Sequence, residues 1–165
     1  DERSQVKVPG PCLAGPNSAL NVTKSGVLRF VKEGISASRL VLGTPWYGYQ
    51  YTCLSRDGGE ACTIAEVPFR GVNCSDAAGK QVNVADIEAL GLDVEWSAAA
   101  DSPYANSGQF QYWFDDARSL ALKYALAGEL GLGGIATWNT DAVAYSDPLP
   151  ALTRSIWNVF YVPRG

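Results

Sequence analysis

Histidine and methionine are both missing from this chain of 165 residues. Without histidine, a zinc site would have to use all four cysteines, Cys12, Cys53, Cys62 and Cys74, and no two of them form a C-x-x-C pair. No metal and no cofactor is therefore expected. Without methionine, the chain is expected to start after a processing event or to be part of something longer. Long hydrophobic runs are also missing: the apolar stretches fall well short of a membrane span, and nothing at Asp1 reads as a signal peptide. Charge is sparse and slightly acidic. A net charge of −4 and a pI near 4.8 provide no basic face, which sets aside nucleic acid and anionic membranes as partners.

What is present argues for a folded domain. With 47% hydrophobic and only 18% charged residues, the chain can bury a sizeable core and is not disordered. The four cysteines are expected to form two disulfides in an oxidising compartment, and the sequence leaves all three pairings open. Two N-x-[ST] sequons, Asn21-Val22-Thr23 and Asn73-Cys74-Ser75, point to the same compartment, the second being blocked if Cys74 is bridged. A secreted or lysosomal location follows as an expectation.

Along the chain, a Pro- and Gly-rich loop over residues 1–20 gives way to helical spacing. Asn21 or Thr23 would cap a helix whose apolar face carries Val27, Phe30, Val31 and Ile35 and which stops near Ser36. Leu40 to Thr44 reads as a strand covered on both faces, the pattern of a parallel sheet. Residues 50–113 hold three of the cysteines and many turn residues. They predict only short elements, a helix over Val84 to Leu90 and strands over Leu92 to Trp96 and Phe110 to Phe114, and read as an inserted subdomain. Asp115 and Asp116 suit a helix start, where carboxylates accept from free N–H groups. Leu120, Ala121, Tyr124 and Leu130 form that helix's buried face, and Gly131 and Gly133 end it. "GGIATW", residues 133–138, is a second buried strand, and Pro150 opens a last amphipathic helix through Leu152, Ile156, Trp157 and Phe160. Alternating helices and strands imply parallel strands with crossover helices, in two segments, 1–49 and 114–165, around the insertion.

Four stretches carry a resemblance: "RLVLGTPWYGYQYTC" (39–53), "CTIAEVPFRGVNCSDAAGKQV" (62–82), "YWFDDARSLALKYA" (112–125) and "LGGIATWN" (132–139). Together they resemble the C-terminal half of glycoside hydrolase family 18, in its chitobiase branch; the family's chitinases usually carry Arg where Tyr49 stands. The resemblance implies an α/β fold, the C-terminal part of a (β/α)8 TIM barrel. Leu40 to Thr44 would be strand 7 and Gly134 to Trp138 strand 8, with a small disulfide-containing α+β insertion after strand 7. A whole barrel of this kind needs about 250 residues.

For function, the resemblance implies substrate-assisted retaining hydrolysis of N-acetylglucosamine oligosaccharides, in which the sugar's own acetamido group is the nucleophile. The general acid would be the Glu of a D-x-x-D-x-D-x-E motif. "LGLDVEWS", residues 90–97, imitates that motif but places Leu90 at its first Asp, Glu95 at its third and Ser97 at the acid, so it is read as a decoy. A serine cannot protonate a leaving group, because the task needs a pKa near the working pH. The acid is therefore expected from an N-terminal half of the barrel, as a separate or missing polypeptide. Residue by residue, the resemblance implies substrate contacts for Asp1 (orienting the acetamido group), Tyr47 (its hydroxyl reaching the sugar) and Trp138 (the floor beneath it). Asp115 and Asp116 match its "Y-D-D/N" stretch, which helix capping already explains; Trp46, Tyr49 and Tyr51 are assigned to structure, and Glu95 and Trp96 to a possible cleft edge. The alternative is an inactive sugar-binding or structural protein that keeps the aromatic platform.

Overall fold

The computed structural model describes residues 11–56 and 58–160. Helix α1 spans Leu20–Lys32. It starts ahead of both residues read as caps: Ala19 occupies the cap position with no side-chain bond, and the Asn21 amide oxygen instead accepts from the Val22 N–H inside the first turn. Its one buried residue is Thr23, while Phe30, Val31 and Ile35 lie exposed, so the apolar face read from spacing is not covered here. The chain turns at Gly34 with φ of +92°, a conformation that costs glycine little.

Strand β1, Val41–Pro45, leads directly into β2, Tyr47–Thr52, with only Trp46 between them. The two belong to different sheets. A short hairpin, β3 (Ser55–Arg56) and β4 (Cys62–Thr63), precedes β5 (Gly79–Asn83) and helix α2 (Val84–Ala89). Then come β6 (Val94–Ser97), β7 (Ser102–Ser107) and β8 (Phe110–Trp113). Helix α3 (Ala117–Glu129), strand β9 (Gly134–Trp138) and helix α4 (Ala151–Phe160) complete the described fold. The short helix and the two insertion strands expected from sequence are α2, β6 and β8, each within two residues of its expected bounds.

β1 pairs in parallel with β9, from Val41 opposite Gly134 to Pro45 opposite Trp138. Leu42 and Thr44 point toward the helices and are buried, whereas Val41 is 60% and Trp138 70% exposed on the other face. The expectation that both faces of Leu40 to Thr44 are covered therefore holds on the helix side alone. The second sheet is antiparallel in the order β5-β2-β8-β7-β6, and β2, β5 and β7 were not foreseen from sequence.

Gly48 is needed at the centre of "PWYGY". A Cβ there would lie 2.6 Å from Ile87 Cδ1 and 2.8 Å from the Trp113 carbonyl, distances that real packing does not allow. One core unites the two sheets on that side: Trp46, fully buried, meets Trp157 edge-on at 4.6 Å and Phe160 at 5.6 Å, with Ile87, Tyr112, Leu120 and Ile156 around them. A second core, on the other face of the five-stranded sheet, gathers Tyr51, Tyr104, Trp113 and Ile64 around the disulfides. The bridges are Cys12–Cys74 and Cys53–Cys62, which resolves the pairing that the sequence left open.

Asp116 caps α3 as expected, accepting from the Ser119 N–H at 2.9 Å while the Ser119 hydroxyl accepts from the Asp116 N–H at 3.0 Å. Asp115 does not cap. It turns inward and pairs with Lys123, two turns along the helix, at 2.6 Å. Helix α4 is capped from a distance: Glu88 of α2 accepts from the Leu152 N–H at 2.7 Å and from the Thr153 hydroxyl at 3.2 Å. This carboxylate serves both the free N–H groups and the positive end of the helix dipole. Glu88→Ala is expected to cost about 1 kcal/mol, lowering the thermal midpoint by about 3 °C in a circular-dichroism melt; an unchanged midpoint would show that α4 does not depend on this cap.

Candidate active site at the carboxyl ends of the parallel strands

The carboxyl ends of β1 and β9 bring two of the expected residues to one rim. Trp138 ends β9 with its indole exposed, its carbonyl accepting from the Trp46 N–H at 2.7 Å, and the Trp138–Asn139 peptide is cis. Tyr47 opens β2 one residue beyond Trp46, half-buried, with its carbonyl accepting from Asn17 Nδ2 at 2.8 Å. Asp1, the third expected residue, lies outside the described residues.

Strand alternation sorts the aromatic cluster. Trp46 enters the core under the helices, while Tyr47, Tyr49 and Tyr51 stand in a row on the opposite face of the second sheet, with ring centroids 6.2 and 5.8 Å apart. Tyr51 is buried. Tyr49 is half-buried, its hydroxyl 3.4 Å from Asp76 Oδ2, and burial pushes its pKa above the ordinary tyrosine value.

The pseudo-motif residues are held within the sheet. Ser97 is fully buried, donates to Glu60 at 2.8 Å and accepts from the Ala100 N–H at 3.2 Å. Glu95 accepts from the Tyr104 hydroxyl at 2.9 Å and from Asn106 at 3.1 Å. Burial first, and then that carboxylate, push the Tyr104 pKa up to about 12, so this phenol is no proton donor near neutral pH. Trp96 lies under the Arg118 guanidinium, 3.6 Å from the ring centre. Among the described residues no group of three or more Cys, Asp or Glu is placed to hold a metal ion. No helix among them is long and apolar enough to cross a membrane.

Of the two sequons, Asn21 is exposed on α1. Asn73 is exposed beside bridged Cys74, and the hydroxyl of buried Ser75 donates to the Val67 carbonyl at 2.7 Å.

One polar cluster behind the rim was not foreseen. Lys123, 1% exposed, donates to both oxygens of Asp115 and, at 2.7 Å, to the Ser18 hydroxyl, while Ser119 donates to Asp115 at 2.6 Å. Ser119 and Lys123 share one face of α3, and Asp115, just ahead of the cap, lies one further helical step back, which was the available signal.

Parallel strands joined through helices, with an exposed indole and a half-buried tyrosine at their carboxyl ends, define a segment of a (β/α)8 barrel, with β1 as its seventh strand, β9 as its eighth and the disulfide-containing α+β insertion between them. Residues 4–142 match the glycosyl hydrolases family 18, and the chain belongs to that family. It is 39% identical over 168 residues to di-N-acetylchitobiase of Mus musculus, covering 95% of this chain and 45% of that protein. It is 42% identical over 176 residues to probable di-N-acetylchitobiase 2 of Dictyostelium discoideum, covering 96% of this chain and 45% of that one. The chain thus spans about 45% of the length of these curated relatives. Among solved structures, human YKL-39, a pseudo-chitinase with retained chitooligosaccharide binding properties, superposes with a TM-score of 0.69 at 19% identity, over 89% of this chain and 45% of that one.

Proposed function

We propose that this chain supplies the sugar platform of a chitobiase-like glycosidase that cleaves N-acetylglucosamine oligosaccharides by substrate-assisted retaining hydrolysis. The observation that carries this reading is the exposed indole of Trp138 beside Tyr47 at the carboxyl ends of the last two barrel strands. An exposed tryptophan at a strand end is costly to leave in water and suits the apolar C–H face of a pyranose ring. Tyr47 donates its hydroxyl to the sugar, and Asp1 turns the acetamido group toward the anomeric carbon, an orienting role more than a proton transfer. The acetamido oxygen attacks the anomeric carbon as the leaving oxygen is protonated, and water then opens the cyclic intermediate with net retention. The acid is the Glu of a D-x-x-D-x-D-x-E motif on polypeptide outside these 165 residues. Residues 50–113 act as an inserted module between barrel segments 1–49 and 114–165. The disulfides fit an oxidising compartment, lysosomal or secreted, where Asn21 would carry a glycan and the Asn73 sequon is blocked by the bridge at Cys74.

Polypeptide comprising both this chain and the D-x-x-D-x-D-x-E half is expected to hydrolyse N,N′-diacetylchitobiose, releasing the β-anomer first by proton NMR. Loss of turnover on Glu→Gln at the motif's last position would assign the acid; hydrolysis with inversion would overturn the mechanism. The second reading, a sugar-binding protein without turnover, is favoured by the likeness to YKL-39, a pseudo-chitinase with retained chitooligosaccharide binding properties. Binding of chitotriose with no hydrolysis in the complete polypeptide would establish it.

A further inference from the structure

The buried ion pair behind the rim has no role in the chemistry above, yet its ammonium and carboxylate are held by four hydrogen bonds. Lys123 and Asp115 side chains are 2% and 3% exposed. Taking two charges out of water is costly, and such a pair is retained where it fixes one arrangement of the chain. Here the third Lys123 contact reaches back 105 residues, to the Ser18 hydroxyl at 2.7 Å. Its sequence neighbour Asn17 donates to the Tyr47 carbonyl at 2.8 Å. Tyr47 pairs with Asn83 on the β5 side, but the β2–β8 ladder starts only at Tyr49, so on that side Tyr47 is held ahead of the ladder, at the end of β2 where a substrate would be met.

We propose that Lys123 is a positioning residue for Tyr47, acting through the Ser18–Asn17 segment as a latch between helix α3 and the rim. The inference rests on the reading of Tyr47 as a sugar contact, but the latch itself is testable without sugar. Ser119 and Asp115 orient the ammonium, the ammonium holds Ser18, and Asn17 thereby keeps its amide on the Tyr47 carbonyl. A contact made through a series of bonds is lost by cutting any one of them, and a second cut then adds little.

The test compares Ser18→Ala, Asn17→Ala and the double variant with the unaltered protein. Amide hydrogen exchange of residues 46–48 in the absence of ligand is expected to speed up about five-fold in each single variant, the loss of one hydrogen bond, and no further in the double. The dissociation constant for chitotriose, read by calorimetry, is expected to rise about five-fold in parallel, with the thermal midpoint within about 3 °C. Unchanged exchange at residues 46–48 in Ser18→Ala would overturn the latch whatever happens to sugar binding, and so would additive effects in the double variant. Faster exchange in a protein that binds no chitotriose at all would support the latch and remove the sugar reading instead. Asp115→Leu/Lys123→Met, which replaces the pair by apolar groups, is expected to give the same faster exchange as Ser18→Ala.

Discussion

Asp115→Leu is expected to destabilise the fold by about 3–5 kcal/mol, a drop of about 10 °C in thermal midpoint. The size follows from what remains. Lys123 would be left at 1% exposure with Ser18 as its remaining hydrogen-bond partner among the described residues, and a neutral hydroxyl does not replace a bidentate carboxylate. Ser119 would lose its 2.6 Å acceptor but retain its place in the capping box with Asp116, so helix α3 should still start where it does. The compensating change separates a lost attraction from a stranded charge. Asp115→Leu/Lys123→Met should recover most of the loss, because a buried pair replaced by apolar groups of similar volume is often close to neutral. A double variant as unstable as the single one would mean that the pair itself, and not the orphaned ammonium, accounts for the cost. The urea midpoint of the three proteins decides between these outcomes.

This pair also shows where reading the sequence ran out. Asp115 and Asp116 both read as caps, because adjacent carboxylates before a helical run satisfy the same local rule. Only Asp116 obeys it, since one residue alone can occupy the cap position, and its neighbour is left to point into the fold. The parallel strands, by contrast, were legible because "RLVLGT" and "GGIATW" are short, apolar and bounded by glycine and turn residues. Helix α4 was legible from its spacing, and α3 in part: Leu120 and Tyr124 are buried as expected, Ala121 is exposed and Leu130 only half-buried, and Leu126 and Ala127 take their place on the buried face. The five-stranded sheet was not. β5 reads "GKQVN" and β7 "SPYANS", polar and interrupted by Gly79 and Pro103, and such strands form because neighbours pair with them, not from their own pattern. The exposed face of α1 failed for a related reason: apolar spacing predicts which side favours burial, not whether the described residues cover it.

Trp138→Ala should weaken binding of chitotriose by about 30-fold while shifting folding stability by no more than about 0.5 kcal/mol. The two magnitudes have one cause. At 70% exposure the indole buries little against the protein, so its removal opens no cavity, and the backbone bond from the Trp46 N–H to the Trp138 carbonyl survives the substitution. A ligand stacked on that ring would instead lose most of an aromatic anchor, an effect of about 2 kcal/mol. Trp138→Phe, which keeps a smaller face, should fall between the two, whereas Trp46→Ala should do the reverse, since that ring is fully buried between Trp157 and Phe160. Equal losses of binding and stability at Trp138 would identify it as part of the packed barrel interior and leave the rim without its floor. Calorimetric titration and a thermal melt of the same preparations read both quantities, and the ratio between them is what the exposed indole predicts.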